Sequence, residues 1–379
     1  MDDITLIADS PVELQRMLNV IHEQANRYHV IFGQTKCKVL IVASKETSGW
    51  SLGNLPLETC QNYKYLGETI SHDGKLSTHL QNKQREVVAE TQTILSIASD
   101  DTLSRIGLET SLKLLDTCII PCLLYGSETW LLSKSELEMV ELTQRKAIKR
   151  MLQVPKSTPT CALFMETGLI PMSFAIDKRQ LIYYHKITKQ HENFLARKIT
   201  ITQKNYYGYS ETWFSRIQQT ISKYQLCDPL TNEITKNQWH KLVNKAVNKI
   251  ANDHILKLCQ NGSKTVALTK YKQRINRDHY ITELPRKLSR ILFLIRCNML
   301  PIKSQTSTDR QGLCRLCHKD EETVNHLIDK CEKTREISSE YNVPKLEYAY
   351  KNDKTDITLN KELAIFITKT LLLMGIHVY

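Results

Sequence analysis

The sequence predicts an α+β fold that is mostly α, with a small sheet near the amino terminus, a long helical middle and a compact cysteine-histidine module. Three observations carry that prediction. Strand-like runs separated by turn signals crowd into residues 1–75, and beyond them apolar residues recur at helical spacing behind capping residues. Cysteine and histidine then gather between positions 314 and 331 at metal-ligand spacing. The chain holds only 12 Gly and 10 Pro in 379 residues. Average usage would give roughly 27 and 19, so collagen-like, Gly-rich and Pro-rich architectures are excluded. The length allows two or three domains, each with a core of its own.

Asp2 and Asp3 come first, followed by an apolar, strand-like run over residues 4–8. Ser10 three residues before Glu13 is a capping signature, and Pro11 suits the first helical position. A helix is therefore expected over residues 11–27, with Leu14, Met17, Leu18, Ile21 and Ala25 on one buried stripe. Two β-rich runs follow, over 28–32 and 39–43, then a turn around Ser48 and Gly49. Residues 63–70 read as a single strand, closed by the turn His72-Asp73-Gly74-Lys75.

Helices are expected over 76–97 and 104–120, the second interrupted by Pro121. Ser135 and Glu138 read as another capping box, opening a helix whose Leu137, Val140, Ala147, Ile148 and Met151 face inward. Its far end carries Arg145, Lys146, Lys149 and Arg150, two pairs at four-residue spacing. Such a cluster is either a phosphate-contacting surface or a plain solvated face. Periodicity weakens over 200–230, where Tyr206, Tyr207, Tyr209, Trp213 and Phe214 either stack on unpaired bases or form local core. It returns at Trp239, Leu242, Val243, Ala246, Val247, Ile250, Ile255 and Leu258, with Lys241, Lys245 and Lys249 ridging the outer face. Arg274, Arg277, Arg286, Lys287, Arg290 and Arg296 form a further basic cluster.

Net charge is +12, and residues 201–300 hold 17 Lys and Arg against 6 Asp and Glu, a surplus of +11. Polyanions are the partner class to expect, although Lys-rich solvated faces also raise charge without binding anything. Eleven cysteines, an odd count without the pattern of a small secreted scaffold, fit a reducing intracellular compartment, nucleus or cytoplasm. The acidic start lacks the basic and apolar regions of a secretory signal. The longest late apolar stretch, 363–376, is interrupted by Lys369 and falls short of the roughly 20 residues a bilayer span needs, so no membrane partner is expected.

The strongest local signal is C-x2-C-x8-H-x4-C, formed by Cys314, Cys317, His326 and Cys331. Three thiolates and one imidazole complete a tetrahedral set for structural Zn²⁺ and leave no open position for a catalytic water. Free thiols that happen to be well spaced are the alternative reading.

In chain order, Met1-Asp2-Asp3, Phe32-Gly33-Gln34-Thr35-Lys36-Cys37, Tyr65-Leu66-Gly67, Tyr125-Gly126-Ser127-Glu128-Thr129-Trp130 and the zinc segment resemble the carboxy-terminal part of a non-LTR (LINE-type) retrotransposon reverse transcriptase. The resemblance covers roughly 1–175 and 285–335, while 176–284 rests on position and charge. It implies a partial palm at 1–75, a thumb-like helical region at 76–175 and a zinc-binding segment at 301–335; position and charge give a basic helical connector at 176–300, and a tail at 336–379 follows. It makes Asp2 and Asp3 the expected catalytic carboxylates, since nucleotidyl transfer uses two divalent ions and Mg²⁺ prefers carboxylate oxygen. Read without the resemblance, the pair is simply two solvated acids. In that family a thumb helix follows the template-primer backbone, so Arg145, Lys146, Lys149 and Arg150 are expected to contact RNA and DNA. Lys241, Lys245, Lys249, Arg286, Lys287 and Arg290 join them as further candidates.

The family's further catalytic Asp and its fingers would lie before residue 1. The expectation is therefore a carboxy-terminal fragment of an RNA-directed DNA polymerase that is inactive by itself, with Mg²⁺ engaged only if the missing palm is supplied. The alternatives are a non-catalytic zinc-containing RNA- or DNA-binding protein derived from such an element, or an expressed relic. After Cys331 only 379 − 331 = 48 residues remain, too few for a nuclease core, so no cleavage activity is expected.

Overall fold

The computed structural model describes residues 4–33, 36–42, 49–98, 106–206, 211–306, 312–341, 343–350 and 356–377. The chain divides into two compact units, Met1–Lys83 and Gln84–Tyr379. Of the expected segments, those at 176–300, 301–335 and 336–379 all fall inside the second unit.

In the first unit Ser10 Oγ accepts the Glu13 N–H at 3.2 Å and Pro11 takes the first turn of helix α1 (Pro11–Arg27). The sheet is built from β1 (Lys38–Leu40), β2 (Trp50–Leu52) and β3 (Leu55–Cys60) in the order β1-β3-β2. β1 runs parallel to β3, and β2 antiparallel to it. Leu18 of α1 packs on Val39, Trp50 and Leu52, while Gln15 both donates to Ser51 O (2.9 Å) and accepts the Ser51 N–H (3.0 Å). Gly53, at φ +62°, turns β2 into β3 directly beneath His22, where a Cβ would meet the imidazole at 2.4 Å.

Three strand expectations need correction. Residues 4–8 form no strand, and Ile4 and Ile7 are exposed. Residues 28–32 form none either, because the chain is still closing α1: the Val30 N–H bonds Ala25 O at 2.8 Å and His29 sits at φ +56°. Residues 63–70 are a hairpin, β4 (Asn62–Tyr65) against β5 (Glu68–Ser71), whose two-residue turn has Leu66 and Gly67 both at positive φ.

Helix α2 (Ser77–Ala98) agrees with the pattern, but Pro121 does not end the next helix. Between α3 (Leu108–Leu114) and α4 (Ile120–Leu123) lies a π turn, Leu115–Ile119. It widens the ladder so that Pro121 falls in a fresh first turn, where a missing N–H loses no partner. Helix α5 (Lys134–Leu152) starts two residues earlier than expected, because Ser133 and Glu136, not Ser135 and Glu138, exchange the reciprocal capping bonds. Val140, Ala147, Ile148 and Met151 are buried as the spacing predicts.

Next come α6 (Thr160–Thr167), α7 (Met172–Thr188), α8 (Leu195–Asn205), α9 (Trp213–Lys223) and the 26-residue α10 (Lys236–Asn261). Helices α7, α9 and α10 share a core of Phe174, Leu181, Tyr184, Phe214, Ile217, Trp239, Val243 and Val247, which settles Phe214 as packing. Trp213 is partly buried and donates to Glu128 O at 2.9 Å. Tyr207 and Tyr209 lie outside the described residues. Gln180 of α7 donates to Ser127 O and Trp130 O, so the Tyr-Gly-x-Glu-x-Trp segment is a packing element held against α7.

Short helices α11 (Val266–Thr269) and α12 (His279–Glu283) lead to α13 (Arg286–Arg296) and α14 (Lys303–Thr306). Arg296 is fully buried and ion-paired to Glu166 of α6 (2.9 Å) and to Asp278, while Lys272 also pairs with both acids. Tyr280 donates to Glu166 at 2.6 Å. Two acids and two bases, Glu166 from α6 and the others from the segment spanning 272–296, thus close one neutral interior network. After α15 (Arg335–Glu340), helix α16 (Ile357–Leu373) packs on α13 and buries Leu363, Phe366, Ile367 and Leu371. Residues expected as a tail therefore complete a core.

Candidate metal centre and basic surfaces

The short Cys314–Cys317 loop folds as a knuckle held by its own backbone. The His318 N–H bonds Cys314 O (2.9 Å), the Cys314 N–H bonds Asp320 O (2.7 Å), and His318 adopts φ +55°. Cys331 and His326 come from the opposite side, across the π turn His326–Lys330, where the Cys331 N–H bonds His326 O at 2.8 Å. Thr323 Oγ accepts the His326 N–H at 3.0 Å and sets the start of that turn.

The four ligand atoms all lie within 4.8 Å of one another. Cys314 Sγ is 4.0 Å from Cys331 Sγ, and Cys317 Sγ is 3.3 Å from His326 Nε2. A tetrahedron with metal-sulfur bonds of about 2.3 Å spaces its sulfurs by about 3.8 Å, so the donor set fits a single ion such as zinc. Burial pushes the Cys314 thiol up to about 11. Burial also opposes ionisation of Cys317, yet the N–H groups of Lys319 and Asp320, with His326 and Cys314, outweigh it and bring that thiol down to about 7. Cys317 thus reaches the thiolate form more readily than Cys314.

Two supporting features carried no advance signal. His326 Nδ1 lies 3.5 Å from Asp320 Oδ2, placing a carboxylate behind the ligating imidazole. Glu322 is wholly buried and is forked by Arg315, whose Nε approaches its two oxygens at 2.9 and 3.0 Å and whose Nη2 reaches Pro301 O at 3.0 Å. Glu322 also accepts the N–H groups of Lys303 and Arg315 at 2.9 Å each. Burial alone would raise this carboxyl, but Arg315 and those N–H groups hold it below the ordinary carboxylate range. The pair ties the knuckle to the chain leaving α13. Glu322 belongs to the motif's sequence context, four residues before the histidine, but its burial and its Arg315 partner are not visible there.

The expected site residues part company in the structure. Asp2 and Asp3 lie outside the described residues. Arg145 is paired with Glu138 and Glu141, and Lys149 donates to Lys156 O at 2.6 Å, whereas Lys146 and Arg150 point to solvent. Lys241, Lys245 and Lys249 are exposed along one side of α10. Arg286 is turned inward to Met151 O (2.6 Å) and Ser111 Oγ (2.5 Å), Arg290 is mostly covered, and Lys287 is exposed. No helix among the described residues is long and apolar enough to cross a membrane.

No family model matches the chain. It is 27% identical over 198 residues to the RNA-directed DNA polymerase from the mobile element jockey of Drosophila melanogaster, a match covering 49% of this chain and 20% of that protein. It is 26% identical over 157 residues to a transposon-derived protein of Caenorhabditis elegans, covering 40% of this chain and 55% of that one. The chain thus spans about a fifth and about half of these two curated relatives. At modest identity and over part of its length, the chain is similar to the RNA-directed DNA polymerases of non-LTR retrotransposons, the likeness its motifs carry.

Proposed function

We propose that this chain is the part of a non-LTR retrotransposon reverse transcriptase that grips nucleic acid behind the polymerase centre, through a helical thumb, a basic connector and a structural zinc module. The observation that carries the reading is a Cys3His group with tetrahedral spacing, folded directly after the basic helices of a chain similar to a jockey polymerase. Its partners are RNA and DNA, bound first through phosphates, since exposed lysines read charge and not sequence. Zinc closes the knuckle, the Asp320 carboxylate stands near the back of His326, and no ligand position remains for chemistry at that metal.

Binding of an RNA-DNA hybrid duplex, followed against salt, tests the grip: a steep salt dependence supports it, and salt-independent or absent binding refutes it. Elemental analysis tests the metal. Cys317→Ser is expected to abolish zinc retention and expose residues 312–335 to protease, and unchanged zinc content would remove the assignment. The 379-residue chain alone is expected not to extend a primer on an RNA template with Mg²⁺, because nothing else in it resembles the strand that brings the family's further Asp. Template-dependent product that disappears in Asp2→Ala would overturn that expectation and give Asp2 and Asp3 their Mg²⁺ role.

A further inference from the structure

Helix α7 and its C-cap residue Lys189 carry a stripe of mixed basic and apolar character that borders the core. Arg179, Ile182, Tyr183, Lys186 and Lys189 recur at helical spacing and line one wall of a cavity of about 710 Å³. Ile234 and the N-cap Thr235, with Lys236 and His240 at the start of α10, form the facing wall. That volume lies in the range of small-ligand sites, roughly 300–1,000 Å³. Four cationic side chains face a single acid there, Glu128, which is 3.8 Å from Arg179, leaving a formal surplus of 4 − 1 = +3. Lys186, Lys189 and Lys236 are exposed, with no ion pair recorded among the described residues. The cavity also opens at the amino end of a 26-residue helix, whose dipole adds positive potential.

The floor has a different character from the rim. Ile182, Ile234 and the Tyr183 ring make it apolar, and Tyr183 is fixed by an edge contact with Trp213 at 6.0 Å. An apolar, aromatic floor under a lysine rim matches a ligand with a flat apolar face and a string of anionic groups. A duplex offers only phosphates, its bases being stacked inside, so it would leave the floor unused. An unpaired strand offers both. We propose that this cavity is a single-strand site, seating an unpaired nucleotide of RNA or DNA with its base against Tyr183 and its phosphates on Lys186, Lys189 and Lys236. The inference rests on the nucleic-acid role proposed above, yet it concerns a surface separate from Lys241, Lys245 and Lys249.

The test uses the full chain with a labelled oligo-U RNA, a labelled oligo-dT DNA and an RNA-DNA hybrid duplex. Lys186→Gln with Lys189→Gln and Lys236→Gln is expected to weaken single-strand binding about tenfold or more and to flatten its salt slope by about 2, at roughly 0.7 for each phosphate no longer neutralised. Tyr183→Leu should weaken binding about fivefold or more without moving the slope. Lys75→Gln with Lys345→Gln and Lys361→Gln removes the same charge from exposed positions outside the thumb, connector and zinc module and should leave binding unchanged. Weakening in either the RNA or the DNA arm supports the site and names its strand. Unchanged binding by the cavity variant, an equal weakening in the control variant, or displacement of the strand by oligoglutamate as readily as by unlabelled RNA would overturn it. Loss of hybrid-duplex binding with single-strand binding intact would instead break the grip proposed above and leave this site standing.

Discussion

Helices α10 and α13 carry the same sequence signal, basic residues at helical spacing, and the structure uses them in opposite ways. In α10 the lysines lie outside while Trp239, Val243, Val247, Ala251 and Ile255 are buried on the other side. In α13 Arg286 and Arg296 are turned inward, and Arg290 has Nε and Nη1 covered without a hydrogen-bond partner among the described residues. The head groups contribute to the difference, although Lys272 shows that a paired ammonium can also be buried. A guanidinium has five fixed donors that can be satisfied by carbonyls and carboxylates in the interior, whereas an ammonium is a compact, strongly hydrated charge. Formal charge counted along a chain therefore overstates what its surface offers, and α13 contributes to cohesion where α10 contributes to the field.

The largest effect that tests this contrast comes from Arg296. Arg296→Met would leave Glu166 and Asp278 buried with Lys272 as their shared cation, at a cost of about 3–5 kcal/mol. A urea midpoint unchanged from wild type would show that α13 is not cohesive in the way argued. The same network sets a pH dependence. Burial and the nearby Glu166 push the Asp278 carboxyl up to about 6, while Arg296 and Lys272 oppose them. An unfolded Asp titrates near 3.9, so between about pH 4 and pH 6 the native state holds the proton longer and stability falls as pH rises, by up to about 3 kcal/mol. Glu166 is shifted the other way: against its burial, Arg296 and Lys272 hold it below the ordinary carboxylate range. The difference between wild-type and Asp278→Asn stability across pH 4–6 isolates the effect, and a rise with pH would contradict it.

How much of this was visible beforehand follows the range of the interactions. The convergence of Cys314, Cys317, His326 and Cys331 was legible because their spacing is that of a tetrahedral donor set, and α1 was legible because its cap and proline act within one turn. The β4-β5 hairpin was not, since Leu66-Gly67 lacks the Asn-Gly or Asp-Gly signal and Leu66 is strained at its positive φ. Ser133 and Ser135 both stand three residues before a glutamate, and local spacing cannot choose between them. The network of Glu166, Lys272, Asp278 and Arg296 joins positions up to 130 residues apart and leaves no periodic trace. The α7 stripe was present in the sequence as Arg179, Tyr183 and Lys186, but it acquires meaning only when α10 is set against it.

Arg286 is the sharper probe, because its place among expected nucleic-acid contacts conflicts with its inward bonds. Arg286→Leu should cost about 1.5–3 kcal/mol by stranding Met151 O and Ser111 Oγ. At a matched folded fraction it should leave the salt slope of hybrid-duplex binding unchanged. A slope lowered by about 0.9, with little change in stability, would return Arg286 to the phosphate-contacting set and blur the contrast with α10.

The smallest effect on stability belongs to α10 and completes the comparison. Lys241, Lys245 and Lys249 rise along the helix in steps of about 6 Å, a row of solvated charges with no ion pair recorded among the described residues. Lys241→Gln with Lys245→Gln and Lys249→Gln disturbs nothing buried, so the urea midpoint should shift by no more than about 0.5 kcal/mol equivalent. The salt slope of hybrid-duplex binding should nevertheless fall by up to about 2.7, three phosphates at roughly 0.9 each. An unchanged slope would make the ridge a solvated face, and the polyanion preference implied by the net charge of +12 would then rest on the α7-α10 cavity, where Lys186, Lys189 and Lys236 face an apolar floor.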